Sequence, residues 1–240
     1  MKRIIFIILI FAFKICAIKG QILTFGGGAT YFAQRSKALL HPDILGKRVG
    51  NDQYFLKVQY SHILNKKVFL SASYYSNYPV YTFFHFYKQN GGGSRGWSGT
   101  NVRRFDLSVM YNTFHKSNFI FMPSLGLGIQ KSIPTGNGCI CNDISEGIKP
   151  DNFELLDEID AYAYDNTQLV AVAGVKLGYA FFGRLELFID IQQVFGHKTI
   201  QELKMNYSYN GIVQPEAISS SDGTGRFWSL GIGFRFVKPK

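Results

Sequence analysis

From Ile22 onward the chain repeats one device, a run of about ten residues in which apolar side chains alternate with polar or small ones, followed by a turn. A period of two places successive side chains on opposite faces of a strand, so these runs are strands and not helices. Eight of them follow one another. The first spans Ile22 to Phe32, with Leu23, Phe25, Ala29 and Tyr31 on one face, and the second spans Tyr54 to Leu64. After the polar turn Asn65-Lys66-Lys67, the third starts at Val68, and Pro79 makes its far part a poor strand because proline donates no ladder hydrogen bond. The fourth sets Phe105, Leu107, Val109 and Tyr111 against Arg104, Asp106, Ser108 and Asn112, and the fifth sets Phe119, Phe121, Leu125, Leu127 and Ile129 against Ser124, Gly126, Gly128 and Gln130. The sixth covers Gln168 to Phe181, the seventh Leu185 to Gln192, and the last carries Trp228, Leu230, Ile232, Phe234 and Phe236 opposite Ser229, Gly231, Gly233 and Arg235.

The parity of the charges decides what such strands can build. Charged residues share a face with the glycines, while the other face is long, aliphatic and aromatic. A water-soluble sandwich or lipocalin-like barrel has the opposite polarity, and this apolar face wrapped around a closed sheet would be a very large exposed patch in water. In a bilayer the same pattern is what the surroundings demand, with alternate residues facing lipid and lumen. The expected fold is therefore all-β, an eight-stranded antiparallel up-and-down transmembrane β-barrel, closed because the strand number is even. Connections after strands two, four and six are short. Those after one, three, five and seven are long, roughly 35–53, 88–100, 131–166 and 196–225. That asymmetry places both termini with the short turns, on the periplasmic side, and four loops outside.

The only long apolar run, Ile4 to Phe13, is too short to span a membrane as a helix. Lys2 and Arg3 before it, and Ala17 and Gly20 after it, describe a secretory signal peptide cleaved before Gln21, giving a signal segment 1–20 and a barrel domain 21–240. Cys16 is not read as a lipid anchor, because Phe13-Lys14-Ile15 before it is bulky and charged. Removing Lys2, Arg3, Lys14 and Lys19 lowers the formal charge from +10 to +6, so much of the basicity is export signal and no nucleic-acid partner is implied.

The last strand, Ser229-Leu230-Gly231-Ile232-Gly233-Phe234-Arg235-Phe236, resembles the C-terminal assembly signal of outer-membrane β-barrel proteins, with Ser229, Gly231, Phe234 and Phe236 at the matching positions. With the leader and the eight segments, the chain resembles the small eight-stranded barrels of Gram-negative bacteria. The resemblance implies recognition by the barrel-assembly machinery during insertion. The tail Val237-Lys238-Pro239-Lys240 departs from it, since many relatives stop at the aromatic residue.

Lumen parity collects Lys57, Arg104, Asp106, Lys176, Glu186, Asp190 and Arg235. Eight strands leave an interior that side chains can fill, so these charges are expected to pair and plug it. Tyr111, Phe119, Tyr179, Phe181, Phe234 and Phe236 read as an aromatic girdle at the short-turn end, with Tyr54, Phe105 and Trp228 at the other rim. Outer basic residues, Arg95, Arg103 and Arg104 above all, are candidates for contact with anionic lipopolysaccharide.

Other patterns carry less. His115-Lys116-Ser117-Asn118 resembles the His-x-Ser-Asn stretch of lipid A deacylases, but it falls at a short turn with no carboxylate close behind it. His41, His62, His85 and His197 have no metal-ligand spacing. The third loop holds eight of the sixteen acids, among them Asp143, Asp157 and Asp165, without a calcium-loop pattern. Cys139 and Cys141 are read as loop cysteines, too close for an unstrained disulfide. No cofactor is implied. The sequence points to a non-enzymatic outer-membrane barrel with a closed lumen that acts through its outer loops, with a lipid A-modifying enzyme or narrow channel as alternatives. The exported protein is expected to begin at Gln21 by N-terminal sequencing or intact mass. A mature protein that retains residues 1–20 would overturn the cleavage reading.

Overall fold

The computed structural model describes residues 21–37, 45–46, 52–88, 91–114, 117–143, 152–182 and 184–236. The expected leader and its cleavage point, and the tail after Phe236, lie outside them. In chain order the strands are β1 (Gln21–Lys37), β2 (Leu45–Gly46), β3 (Asp52–Ile63), β4 (Val68–Lys88), β5 (Gly91–Tyr111), β6 (Phe119–Asp143) and β7 (Phe153–Leu155). There follow β8 (Asp160–Ala163), β9 (Thr167–Phe181), β10 (Leu185–Phe195), β11 (Gln201–Met205), β12 (Tyr207–Tyr209), β13 (Ile212–Val213) and β14 (Ala217–Arg235).

Eight of these form a ring in the order β1-β3-β4-β5-β6-β9-β10-β14, and antiparallel pairing of β1 with β14 closes it. The closing ladder runs from Ile22↔Arg235 to Lys37↔Ile218, with one register shift between Phe32 and Gln34. The observed fold is thus the closed, all-β, eight-stranded antiparallel barrel that the alternation predicts. Outside it, Tyr54, Leu56, Leu107, Leu125, Leu127 and Leu230 all stand exposed, forming an apolar belt. Inside it are Lys57, Arg104, Asp106, Lys176, Glu186 and Asp190, all buried.

Several stretches read as loops are strand. Residues 91–100 look like a turn because they are rich in glycine and serine, yet their backbone pairs with β4 in register from Thr82↔Trp97 to Lys88↔Gly91. Likewise 131–143 continue β6, and 217–225 continue β14. Cys139 and Cys141 therefore sit in β6, paired with Ser98 and Gly96, and not in a loop. Pro79 does not end β4 either. It pairs with Asn101 between two register shifts, at Tyr75/Tyr78 and at Val80/Thr82. Such bulges let a strand accommodate a residue without an amide hydrogen. The first shift also turns Tyr75 and Tyr78, three positions apart, both inward, where they are buried.

Beyond the belt the walls rise into a crown at the long-connection end. There β11 takes a place beside β14, with Leu203↔Ser219 at its centre, and β8 pairs with β11. β12 joins β7 and β13 in a separate three-stranded sheet. The crown has its own core of Phe84, Leu203, Met205, Tyr207 and Ala217, against which Phe153, Leu155, Ile159, Ala161 and Tyr209 pack. Truncation of a buried leucine costs about 2–5 kcal/mol. Leu203→Ala is therefore expected to open the crown to protease while the belt strands stay protected, as read by fragment masses after limited proteolysis of membrane-embedded protein. Unchanged digestion would show that β11 is not held by this core.

Candidate functional site

The lumen is built in layers. At the short-turn end lies an apolar floor of Ile22, Phe69, Met110, Ile120, Met122 and Ala180. Above it comes the polar layer, and above that an upper plug that includes Phe32, Phe55, Tyr78, Val102, Ile200 and Phe227.

Within the polar layer, Lys57 of β3 pairs with Asp190 of β10 across the interior. Gln192 Nε2 donates to Asp190 Oδ2 (3.1 Å), and Gln192 Oε1 accepts from Tyr75 Oη (2.6 Å) and Arg104 Nη2 (2.8 Å). Arg104 Nε lies 3.0 Å from the Asp106 carboxylate. One network therefore ties β3, β4, β5 and β10 together, with two positive and two negative charges. Nearer the floor, Glu186 bridges Lys176 (3.4 Å) and Arg235. Lys176 also sits 4.1 Å above the Phe188 ring. In a low-dielectric interior such charges are tolerated when they are paired.

Arg104 joins this layer to the plug. Its guanidinium lies between two rings, 3.8 Å from the centre of Tyr75 and 4.0 Å from that of Phe227. Phe227 is the hub above it, with ring centres of Phe32, Phe55, Tyr75 and Tyr78 at 5.8, 5.5, 5.9 and 5.5 Å. These distances suit edge-on aromatic packing. Glycines make the room: a Cβ at Gly128 would run into the Asp106 carboxylate, and one at Gly231 into the Phe188 ring.

The expected lumen residues thus meet in two connected groups. Of the residues matched to an assembly signal, Ser229 is buried in the lumen and Gly231 faces Phe188, while Phe234 and Phe236 stand exposed on the outside. The outer basic set needs correction. Arg104 is 1% exposed and cannot reach lipopolysaccharide, because the register of β5 directs it inward beside Asp106. Arg103 points outward and is exposed; Arg95 pairs with Phe84 and Asn142 through its backbone, and its side chain lies outside the described residues. Sequence reasoning missed Tyr75, Tyr78 and Phe227. Phe227 could have been found, being an aromatic at lumen parity two residues before Ser229. The inward turn of Tyr78 depends on a bulge that no composition rule places.

Gln168 ties the mouth. Its side-chain oxygen accepts from the amides of His197 and Lys198 (2.9 Å each), and its nitrogen donates to the Asp222 carbonyl (2.9 Å). In the crown, burial holds the Tyr207 hydroxyl above its ordinary pKa, and the Glu202 carboxylate raises the Lys204 ammonium. The Ser117 hydroxyl, from the deacylase-like stretch, bonds the backbone of its own turn at Phe114 and Phe119, and His115 lies outside the described residues. Among the described residues, no three His, Cys, Asp or Glu side chains converge as a metal site would require.

Buried charges inside and exposed aliphatic residues outside settle the architecture. The chain is an inside-out eight-stranded β-barrel. No protein-family model matches it, and neither does any curated protein sequence. Among solved structures it is similar to outer membrane protein OprG from Pseudomonas aeruginosa, at 9% identity and a TM-score of 0.47 over 90% of this chain and 96% of that one. It is also similar to Ail, the attachment invasion locus protein of Yersinia pestis, at 10% identity and a TM-score of 0.40 over 90% and 99% of the two chains. The outer membrane protease OmpT from Escherichia coli aligns at 12% identity and a TM-score of 0.37 over 89% and 96%. At such identities each neighbour's activity stays with that neighbour.

Removing one member of a buried pair strands the other charge at about 3–5 kcal/mol. Lys57→Met is expected to lower stability by that order in urea unfolding of the folded barrel, and Lys57→Met/Asp190→Leu to recover most of it. Equal losses in both variants would show that the pair contributes through packing alone.

Proposed function

We propose that the chain resides in the outer membrane of a Gram-negative bacterium as a closed barrel, and that its crown, not its lumen, meets its partners. The observation that carries this reading is the filled interior: floor, ion-pair layer and aromatic plug are stacked in one lumen whose outer wall is apolar. An apolar wall needs lipid. A lumen blocked by packed side chains at several depths has no continuous path for solutes, which favours a structural or surface-interaction role over a porin.

The lengths of the connections support the orientation. The short connections that follow β3, β5 and β9 and both described chain ends share one side, which is assigned to the periplasm. The crown then faces outward, and its β-structure would give partners a firm surface instead of mobile loops. Ser229, Gly231, Phe234 and Phe236 would serve the assembly machinery, with outer-membrane lipid and lipopolysaccharide as the constant surroundings of the belt.

Membrane fractionation followed by gel mobility of boiled against unboiled protein tests the location, with a heat-dependent shift expected. Planar-bilayer recordings of pure protein test the closed lumen. Conductance at the level of the protein-free bilayer is expected, and a rise is expected for Phe227→Ala; a large, steady conductance from the unaltered protein would overturn the closed-lumen reading.

A further inference from the structure

Among the described residues, the barrel end with the short connections has exposed charge of one sign. Between β3 and β4, β5 and β6, and β9 and β10 the sequence holds Lys66, Lys67, Lys116 and Arg184, and no Asp or Glu. The one carboxylate in the strands near that end, Glu186, is buried and already bridges Lys176 and Arg235. Lys66, Lys67 and Arg184 are exposed, and among the described residues none of the three takes part in an ion pair. Their backbones are held in place all the same. Asn65 Oδ1 accepts from the amides of Lys67 (2.8 Å) and Val68 (2.9 Å). Arg184 donates its amide to the Phe181 carbonyl (3.1 Å), and its carbonyl accepts from the Arg235 amide (2.7 Å).

Each of these connections also sets an exposed apolar residue beside its cations: Leu64 before Lys66 and Lys67, Phe182 before Arg184, and Phe114 before Lys116 in the sequence. Phe182 is 94% exposed and has a φ of 50°, a backbone region that a bulky L residue avoids. A glycine would make the same turn without that cost and without baring a ring to water. At a bilayer surface the aromatic tip has a place, at the level of the headgroups. A soluble anion would use the cations and leave Leu64, Phe114 and Phe182 bare, so the partner that fits is an amphiphile with an anionic head. At the opposite end Glu154, Asp157, Glu158 and Asp160 are exposed, and they repel such a head.

We propose that the short-connection end is a docking surface for anionic glycerophospholipid of the inner leaflet. Lys66 and Lys67 on one connection and Arg184 on another hold headgroup phosphates, and Leu64, Phe114 and Phe182 enter the interface beside them. The inference rests on the membrane reading and orientation above and adds to them a lipid preference confined to one leaflet.

The folded chain is placed in nanodiscs containing equal amounts of phosphatidylglycerol and phosphatidylethanolamine, and the lipids that stay bound are read by native mass spectrometry. One cation at an anionic lipid surface corresponds to about a fivefold preference, so the unaltered chain is expected to retain phosphatidylglycerol about fivefold over phosphatidylethanolamine. Lys66→Gln/Lys67→Gln/Arg184→Gln is expected to retain the two lipids equally, and the charge-keeping exchange Lys66→Arg/Lys67→Arg/Arg184→Lys to keep the preference. Phe182→Ser is expected to lower retention of both lipids and to leave their ratio as it is. An unchanged preference in the triple glutamine variant, its loss in the charge-keeping one, or its abolition by soluble glycerol phosphate would overturn the surface. Retention by Phe182→Ser at the level of the unaltered chain would overturn the part given to the ring. In those cases the heat-dependent gel shift of the unaltered chain still stands for the membrane reading. Failure of the unaltered chain to insert at all would overturn both.

Discussion

Everything in this structure depends on the ladder between β1 and β14. A backbone amide or carbonyl left without a partner in hydrocarbon costs several kcal/mol, and an open sheet has two rows of them. Pairing Ile22 with Arg235, and continuing to Lys37 with Ile218, removes both edges of the barrel at once. Only after that closure can Leu56, Leu125 and Leu230 face outward without leaving polar groups exposed beside them. The apolar belt and the buried charges are two results of the same ring.

A closed ring of eight strands leaves a narrow interior, and this chain fills it with unlike materials. Ion pairs alone would be a weak filling, because desolvation offsets most of their attraction. Here the charged layer lies between two clusters of packed hydrophobic side chains, and Arg104 belongs to both chemistries, bonded to Asp106 at its edge and stacked on Tyr75 and Phe227 at its faces. Gln192 has a comparable place, accepting from Tyr75 and Arg104 while donating to Asp190. Glycines at Gly128 and Gly231 set the depth to which these groups can enter.

Much of the barrel was legible because the period of two is enforced by its surroundings on every strand. The inward position of Lys57, Arg104 and Asp190 follows from parity alone. Their pairing does not, since Lys57 and Asp190 are 133 positions apart and meet only once register and shear are fixed. The crown was illegible for a different reason. Gly91-Gly92-Gly93 and the stretch Ser219-Ser220-Ser221 have the composition of loops, and their strand character comes from neighbours that extend past the belt, not from their own propensity. Arg104 was open to two readings at once, as an outer-rim cation and as a lumen charge. Counting parity strictly from Phe105 would have separated them.

The position of Phe227 in the chain bears on the order of events during assembly. β14 follows the other barrel strands in the chain and pairs with β1 to seal the ring, and it also carries the aromatic ring around which Phe32, Phe55, Tyr75 and Tyr78 are arranged. Before it docks, β1 and β10 have open edges, the upper interior is hollow, and Arg104 has only one of its two stacking faces covered. Sealing the sheet and filling the upper lumen therefore fall to the same strand. One substitution in β14 can therefore touch both the closure of the wall and the packing of its interior.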